Sequence, residues 1–199
     1  MGNVAERVVE LEEEQNVDQQ QQQAPTLLLV FVPNLWAERV VSELQRAGVQ
    51  VHAGVPADEV IRALQKPALI ILDDLLYTID EQYLAELFTK KSHHQNFGVI
   101  FVSQDLFHRK LKVVRQNSMY IVLLRAPNSA LAIRNLGVQL FPRQLDFFMD
   151  AYRQATREKY SYLFIDLHPT SEPTLRLRTN IFKGDDNAPQ VIFLPNAGF

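Results

Sequence analysis

Apolar runs alternate with helical segments over much of this chain, and the alternation predicts its fold class. Uninterrupted apolar runs are typical of strands buried on both faces of a parallel sheet, and three occur, at residues 26–32, 68–72 and 97–102. Apolar residues recur at helical spacing in three further segments, residues 35–47, 56–65 and 80–91. Strands that alternate with helices favour an α/β fold with a parallel sheet and right-handed crossovers.

The second half of the chain also contains segments of both kinds. Helical spacing predicts helices at residues 129–140 and 142–159, the second with Pro142 at its start. Strands are predicted at residues 119–124, 160–167, 175–182 and 191–194. We therefore assign residues 26–199 to one domain.

Residues 1–25 differ from the rest of the chain. Val4, Val8 and Leu11 form a short apolar stripe at helical spacing, and glutamates surround it. An uninterrupted glutamine run then occupies residues 19–23. This composition predicts an acidic, Gln-rich tail that is disordered or loosely helical.

Composition narrows the possible classes of protein. The chain has 199 residues and is 47% hydrophobic, which is enough for one domain with a sizeable core. Its net charge of −3 gives no global attraction to nucleic acid. Cysteine is absent, which excludes disulfides and thiolate metal sites. No apolar run is long enough to span a bilayer, so no membrane partner is expected.

Polar side chains follow two of the predicted parallel strands. Asp73 and Asp74 end the second strand, and Gln104 follows the third. The carboxyl ends of parallel strands share one crevice, so these groups are expected to lie together. A carboxylate there can hold Mg²⁺, and an amide can position water for nucleotide hydrolysis. The alternative interpretation is that the aspartates cap the following segment and that Gln104 is a polar strand end.

Two other groups of polar residues were considered as sites. The only dense basic cluster, in residues 106–118, could contact DNA phosphates or form a solvated helix face; it consists of Arg109, Lys110, Lys112 and Arg115. His93 and His94 are adjacent, so on a strand they would face opposite ways. They are therefore predicted to lie in a polar turn near the crevice rather than in a metal site with the two aspartates.

Several blocks of this sequence resemble one family. They are Leu87–Asn96, Val99–Phe107, Asn117–Leu123, Asp150–Tyr152 with Ala155–Thr156, Tyr162–Leu167, and Leu175–Phe182. In this order the blocks are similar to the DNA-packaging ATPases of Polinton/Maverick elements and adinto-like viruses. That family lies in the FtsK–HerA branch of P-loop ATPases. The resemblance covers roughly residues 26–182.

The resemblance implies a P-loop-NTPase-like (RecA-like) fold, in which a mostly parallel sheet carries helices on both faces. It implies that Asp73 and Asp74 are the Walker B acids, with Asp73 as the metal ligand, and that Gln104 is the sensor glutamine. It further implies a homo-oligomeric ring, Mg²⁺ and ATP as cofactors, and double-stranded DNA as the translocated partner. The compartment it implies is intracellular, in the nucleus or a viral factory.

The chain departs from the family at the phosphate-binding loop. That loop has the pattern G-x-x-x-x-G-K-[ST], in which backbone N–H groups cradle the phosphates and Lys neutralises them. None of the seven glycines is followed by Lys and then Ser or Thr. The P-loop strand and helix are therefore expected to be missing. In the family that strand lies beside the one matching residues 97–102, so the open edge must be closed by another strand or a partner chain. We predict that residues 119–124 close it.

Three functional hypotheses follow. The preferred one is a degenerate or truncated packaging-ATPase homologue that does not hydrolyse ATP on its own. The second is a non-enzymatic module, derived from such an ATPase, that binds nucleic acid or protein. The third is a fragment of an active DNA translocase, or a chain whose P-loop comes from a partner chain.

Overall fold

Two separate sheets form from the strands of this chain in the computed structural model, which describes residues 4–8, 27–33, 38–182 and 189–195. The strands are β1 (Val4–Val8), β2 (Leu27–Val32), β3 (Gln50–Ala53), β4 (Ala68–Asp73), β5 (Phe97–Val102), β6 (Tyr120–Leu124), β7 (Tyr162–Asp166), β8 (Leu177–Thr179) and β9 (Val191–Pro195). The helices are α1 (Glu38–Arg46), α2 (Asp58–Ala63), α3 (Glu81–Glu86), α4 (Ser92–Gln95), α5 (Leu111–Asn117), α6 (Ala130–Leu140) and α7 (Leu145–Ala155). A π-helical turn, Leu87–Lys91, continues α3 into α4.

The chain divides into two compact units. One consists of Asn16–Asn117 and is called the parallel unit here; the other consists of Met1–Gln15 with Ser118–Phe199 and is called the antiparallel unit. The prediction assigned residues 26–199 to one domain, whereas the structure separates them after Asn117. The division follows the sheets, because β2–β5 lie in the first unit and all other strands in the second.

The parallel unit is built on a four-stranded sheet with the order β3-β2-β4-β5, in which all neighbours are parallel. The chain runs from the inner strand β2 to β3 on one side and then crosses to β4 on the other. Right-handed crossovers therefore carry α1 and α2 over opposite faces of the sheet. This confirms the coarse prediction of an α/β fold with a parallel sheet flanked by helices.

One face of this sheet carries the core of the parallel unit. Alternate residues of β4 point into it, namely Ala68, Ile70 and Leu72, and all three are buried. They pack with buried side chains of α2, α3, the π turn and α5: Ile61, Leu84, Leu87, Leu111 and Val114. The opposite face of β4 and β5 is less covered. The prediction that these apolar runs are buried on both faces therefore holds for one face only.

A capping aspartate fixes the start of α3. Asp80 has extended backbone geometry, and its carboxylate accepts a 2.9 Å hydrogen bond from the backbone N–H of Tyr83. The predicted helix over residues 80–91 is confirmed, with its second half in the π form.

The antiparallel unit contains a five-stranded sheet with the order β1-β9-β8-β7-β6. Every pairing in it is antiparallel. Its core includes Leu163 and Ile165 of β7 and Phe148 of α7, all fully buried. Gly137 lets α6 approach α7, because a Cβ atom at that position would lie 2.5 Å from Cδ1 of Phe148.

Two predictions about strand and helix arrangement are wrong. β6 does not lie beside β5; it pairs with β7 in the other sheet, from Tyr120 opposite Asp166 to Leu124 opposite Tyr162. A hydrophobic run indicates that β6 is a strand, but it does not reveal which strand becomes its neighbour. Val4–Val8 forms the strand β1 rather than a helical stripe, since it hydrogen-bonds the edge of β9. The rest of the predicted tail, residues 9–25, lies outside the described residues.

Smaller differences concern element boundaries. The helix predicted from Pro142 begins at Leu145, after a turn that contains Pro142 and Arg143. Strand β8 covers only Leu177–Thr179 of the predicted residues 175–182. Such shifts are expected because hydrophobic patterning locates element interiors better than their ends.

Candidate functional site

The aspartates and the glutamine predicted from the sequence meet at one edge of the parallel sheet. Asp73 is the last residue of β4 and pairs with Val102, the last residue of β5. The two strands therefore end side by side, about 5 Å apart. Asp74 follows one of these strand ends, and Ser103 and Gln104 follow the other. We call Asp73, Asp74, Ser103 and Gln104 the carboxyl rim. The three predicted site residues thus lie at or just after the carboxyl ends of two neighbouring strands.

The rim borders the topological switch point of the sheet, because β4 takes part in both. From β2 the chain goes outward to β3 and then to β4 on the other side, so the crevice opens between the carboxyl ends of β2 and β4. Ligands of open α/β sheets bind in such crevices. At the end of β2, the carbonyl of Val32 accepts a 2.7 Å hydrogen bond from the N–H of Gly54, which ties the tips of β2 and β3 together.

Local backbone geometry turns the rim toward solvent. Asp74 has a φ of 55°, in the left-handed region, which Asp tolerates better than most residues. Leu75 follows it and is fully buried, so the left-handed residue separates an exposed carboxylate from the core. On the neighbouring strand, the hydroxyl of Ser103 accepts a 3.2 Å hydrogen bond from the N–H of Asp105. This turn orders the segment that carries the exposed Gln104.

Sequence reasoning did not identify Ser103 as part of the rim. A serine directly after a predicted strand could have indicated it, because a serine hydroxyl often bonds the backbone two residues later and forms a turn. The Asp105 carboxylate continues the turn by accepting a 3.1 Å hydrogen bond from the N–H of Phe107.

The rim suits one side of a magnesium–nucleotide site. Mg²⁺ prefers oxygen ligands and is usually held by one or two carboxylates together with water and substrate phosphates. Asp73 and Asp74 supply the carboxylates, and neither side chain makes a hydrogen bond or ion pair with a described residue. Within the described residues, no three His, Asp or Glu side chains form a metal-binding group. A metal at the rim would therefore need ligands from a nucleotide or solvent.

The phosphate side of such a site is not found among the described residues. Gly54 follows β3 with a φ of 81°, but the sequence after it is Val-Pro-Ala-Asp and contains neither Lys nor a hydroxyl residue. The helix that follows, α2, has six residues and begins with Asp58 and Glu59, whose charge disfavours a phosphate. The residues present fit Mg²⁺ and do not fit the triphosphate of ATP.

The two histidines lie far from the carboxyl rim. His93 and His94 are exposed on α4, which precedes the amino end of β5, whereas the rim is at its carboxyl end. Six residues of extended strand separate them, a distance of roughly 20 Å. The predicted position in a turn near the crevice is wrong, because residues 92–95 continue the helix that leads into β5.

Half of the predicted basic cluster has a structural role. The ammonium group of Lys110 donates hydrogen bonds to the carbonyls of Leu76 (3.1 Å) and Ile79 (2.6 Å), which follow β4. The guanidinium of Arg115 donates a 2.6 Å hydrogen bond to the carbonyl of Leu106 and stacks 4.5 Å from the ring centroid of Phe107. Burial lowers the pKa of Arg115, and Asp105 opposes this shift.

The other two cations of the cluster remain exposed. Arg109 makes only a long, exposed contact of 3.9 Å with Glu81, and Lys112 lies on the exposed face of α5. Such an exposed pair contributes little to stability. Arg109 and Lys112 are therefore the members of the cluster that remain available to a partner.

A set of contacts around Lys91 joins α2, α3 and the π turn of the parallel unit. Lys91 contacts the carboxylate of Asp58 at 2.6 Å and lies 4.0 Å from the ring centroid of Tyr83. The hydroxyl of Tyr83 donates a 2.6 Å hydrogen bond to the carbonyl of Pro56. Burial, followed by the nearby Asp58, raises the pKa of Tyr83 to about 12. The hydrogen bond from Lys91 lowers the pKa of Asp58.

The free edge of β5 borders the rim. Among the described strands β5 has one neighbour, β4, and its sequence FGVIFV contains no charge and no proline. On its less covered face Ile100 is 46% exposed and Val102 44% exposed. Natural sheets usually protect such edges with charge, proline or a cover, so an uncharged edge marks a place where another strand can pair.

Comparison with protein-family models, with curated proteins and with solved structures found no match to this chain. Among the helices in the described part of the chain, none has the length and apolar character that crossing a membrane requires.

Proposed function

We propose that this chain is a P-loop-NTPase-like protein related to the DNA-packaging ATPases, that it retains the magnesium side of the nucleotide site, and that it does not hydrolyse ATP on its own. The observation that supports the proposal is the carboxyl rim: β4 ends at Asp73 beside the end of β5, so Asp73 and Asp74 follow one strand end and Gln104 follows the next. A Walker B carboxylate and a sensor amide require this adjacency.

The same geometry supports the lack of activity. Phosphoryl transfer depends on positioning and on neutralising the phosphate charge, which a P-loop supplies through backbone N–H groups and Lys. No described residue near the rim supplies these groups. The aspartates would therefore bind the metal of a Mg²⁺-ATP complex, but no described residue would bind its phosphates. Affinity for Mg²⁺-ATP is expected to be weaker than about 1 mM, since the remaining contacts are few.

The first test detects the metal side directly. Mn²⁺ replaces Mg²⁺ and broadens NMR signals close to it, so titrating the full chain with Mn²⁺ should broaden the amide signals of residues 73–74 and 103–104 first. Asp73→Asn should remove this effect, whereas Asp146→Asn, an exposed carboxylate on α7, should not. Broadening that is unchanged in Asp73→Asn would refute the proposed site.

The second test measures turnover. Phosphate release from Mg²⁺-ATP by the purified chain is expected to equal the protein-free blank. ATP turnover that is lost in Asp73→Asn would instead show that the chain has a complete active site. It would overturn the proposal that the chain is inactive and would support the role proposed for the carboxyl rim.

The free edge of β5 favours a second candidate, in which a P-loop-bearing partner chain completes the site. A strand added to that edge would lie directly beside Gln104, where a phosphate loop is needed. Under this alternative, ATPase activity appears only on mixing with the partner and still depends on Asp73. Double-stranded DNA, a ring of subunits and an intracellular site of action remain proposals implied by the family resemblance.

A further inference from the structure

An open groove of about 410 Å³ lies within the antiparallel unit, and none of its lining residues was predicted from the sequence as a site. One wall is the connection from β6 to α6, and the other is helix α7. Its lining combines three arginines with small or apolar side chains that are called its apolar floor here: Arg125, Arg153 and Arg157 with Pro127, Ala130 and Met149.

Hydrogen bonds from α7 hold the groove in shape. The hydroxyl of Tyr152 accepts a 3.0 Å hydrogen bond from the N–H of Ala126 and donates one of 3.1 Å to the carbonyl of Leu124. Thr156 donates from its hydroxyl to the carbonyl of Tyr152 at 2.8 Å, one turn earlier in the chain. Both walls are therefore fixed to each other before any ligand binds, which reduces the entropy lost on binding.

Two of the three arginines have guanidinium groups without a partner among the described residues. Arg153 forms an ion pair with Asp150. Arg125 and Arg157 are exposed, and neither guanidinium group makes an ion pair or hydrogen bond with any residue in the described part of the chain. The nearest carboxylate in sequence is Glu158, which is also exposed. The groove thus presents two unneutralised guanidinium groups on opposite walls.

Tyr160, an exposed aromatic residue outside the lining of the groove, follows the lining residue Arg157 by three positions. Tyr160 is 84% exposed and has a φ of 65°, a left-handed conformation that is uncommon for an aromatic residue. The ammonium group of Lys159 lies 4.7 Å from the centroid of its ring. Two residues later Tyr162 pairs with Leu124, which directly precedes Arg125, so the turn that carries Tyr160 lies at the Arg125 end of the groove.

We propose that this groove binds single-stranded nucleic acid. Guanidinium groups match phosphate oxygens with two parallel hydrogen bonds, and they stay charged at every physiological pH. The apolar floor and Tyr160 offer surfaces on which unpaired bases can stack, and basic grooves interleaved with aromatic rings are typical of single-strand binding. A duplex keeps its bases stacked inside, so it would use the arginines but leave the floor and Tyr160 without a role.

The inference is independent of the proposed function. The carboxyl rim belongs to the parallel unit and the groove to the antiparallel unit, and they share no residue. Failure of the Mn²⁺ test at Asp73 would leave the groove unaffected, and loss of strand binding would leave the rim unaffected.

Fluorescence anisotropy with a labelled oligothymidylate tests the proposal on the full chain. The double substitution Arg125→Ala/Arg157→Ala should weaken binding about tenfold at about 50 mM salt, because two phosphate contacts are lost. It should also reduce the slope of log affinity against log salt by about 1.4, from about 0.7 for each contact with a single strand. Tyr160→Ala should weaken binding about fivefold or more with little change in this slope, because it removes stacking.

Matched controls separate the groove from general charge. Arg46→Ala/Arg143→Ala removes two exposed arginines outside the groove and should leave both affinity and slope unchanged. Far-UV circular dichroism and thermal melting check that each variant is folded. A duplex of the same length and a polyglutamate peptide serve as competitors.

Each remaining outcome would overturn the proposal. These outcomes are absent binding at low salt, equal losses in the groove and control variants, and competition by the duplex or by polyglutamate as strong as that by the single strand. Strong competition by polyglutamate would indicate a site for an acidic peptide instead.

Discussion

The two sheets of this chain differ in how they hold a carboxylate at the end of a strand. Asp73 is the last residue of β4 in the parallel sheet, and no described residue bonds its side chain. Asp166 is the last residue of β7 in the antiparallel sheet, and it accepts a 2.6 Å hydrogen bond from Arg178 of β8. The antiparallel neighbour runs back alongside the strand end and supplies a bonding partner, so Asp166 maintains the fold. Parallel strands end together, so Asp73 stays available for a ligand.

The edges of the two sheets make a second contrast. At one end of the parallel sheet β3 is short and carries Gln50 and His52, while at the other β5 is longer and uncharged. In the antiparallel sheet the end strand β6 is likewise uncharged, and its outward residues Tyr120, Val122 and Leu124 are exposed. Among the described strands, each sheet therefore has an edge strand without charge or proline, the usual protection against further pairing.

The largest expected effect tests whether the two units are separate cooperative structures. Ile70 of β4 and Ile165 of β7 are both completely buried. Replacing either by Ala should lower the free energy of unfolding by about 3 kcal/mol, because apolar burial is lost and a cavity remains. Ile70→Ala should raise hydrogen exchange mainly in residues 27–117, and Ile165→Ala mainly in residues 118–182, as measured by mass spectrometry.

The matched pair of variants is its own control. Equal deprotection of both units by either substitution would mean that they unfold together, and the division into two units would then lack energetic meaning.

The next effect compares a bonded carboxylate with a free one. Asp166 is only 4% exposed and also accepts hydrogen bonds from the N–H of His168 and the hydroxyl of Ser171, each at 3.0 Å. Asp166→Asn should destabilise the fold by about 3 kcal/mol, because Arg178 loses its buried partner. Asp73→Asn should change stability by less than about 0.5 kcal/mol, since no described residue bonds it.

Chemical denaturation of both variants measures the difference. A loss from Asp73→Asn as large as that from Asp166→Asn would assign the rim aspartate to structure rather than to a ligand site.

A smaller effect distinguishes the cations of the sequence-predicted basic cluster. Lys110→Met keeps the aliphatic stem but removes the charged donor to the carbonyls of Leu76 and Ile79. The expected cost is about 2 kcal/mol, typical of hydrogen bonds to a charged group. Arg109→Met, an exposed neighbour, should cost less than about 0.5 kcal/mol. Equal melting temperatures for the two variants would contradict the structural role of Lys110.

The smallest effect concerns Tyr83 in the parallel unit. Tyr83→Phe removes the hydrogen bond to Pro56 and should cost about 1 kcal/mol at neutral pH. The folded pKa of Tyr83, about 12, exceeds its ordinary value of 10.0, so the folded state holds the proton more tightly. Stability is therefore expected to be complete below pH 10 and to decline as the pH rises from 10 toward 12.

Urea titrations at about pH 9 and about pH 11 can separate this contribution. The variant should lose less stability between the two pH values than the natural chain does. An identical loss would show that other groups cause the alkaline decline.

The sequence predicted those secondary-structure elements whose formation depends on one segment alone. The apolar run at residues 97–102 forms a strand with those same bounds, and residues 80–91 form a helix capped by Asp80. The adjacency of Asp73 and Gln104 was also predictable, because the carboxyl ends of neighbouring parallel strands must meet at one edge.

What the tertiary structure decided was which strands become partners and which charges remain free. The runs at residues 68–72 and 120–124 are equally apolar, yet one lies in a parallel sheet and the other pairs antiparallel with β7. An apolar run specifies burial but not the identity of its neighbour, since backbone hydrogen bonds are the same for every sequence. Likewise the fold brings the carbonyls of Leu76 and Ile79, more than 30 residues away in sequence, to Lys110. No acceptor among the described residues bonds the guanidinium of Arg125, so that charge stays available.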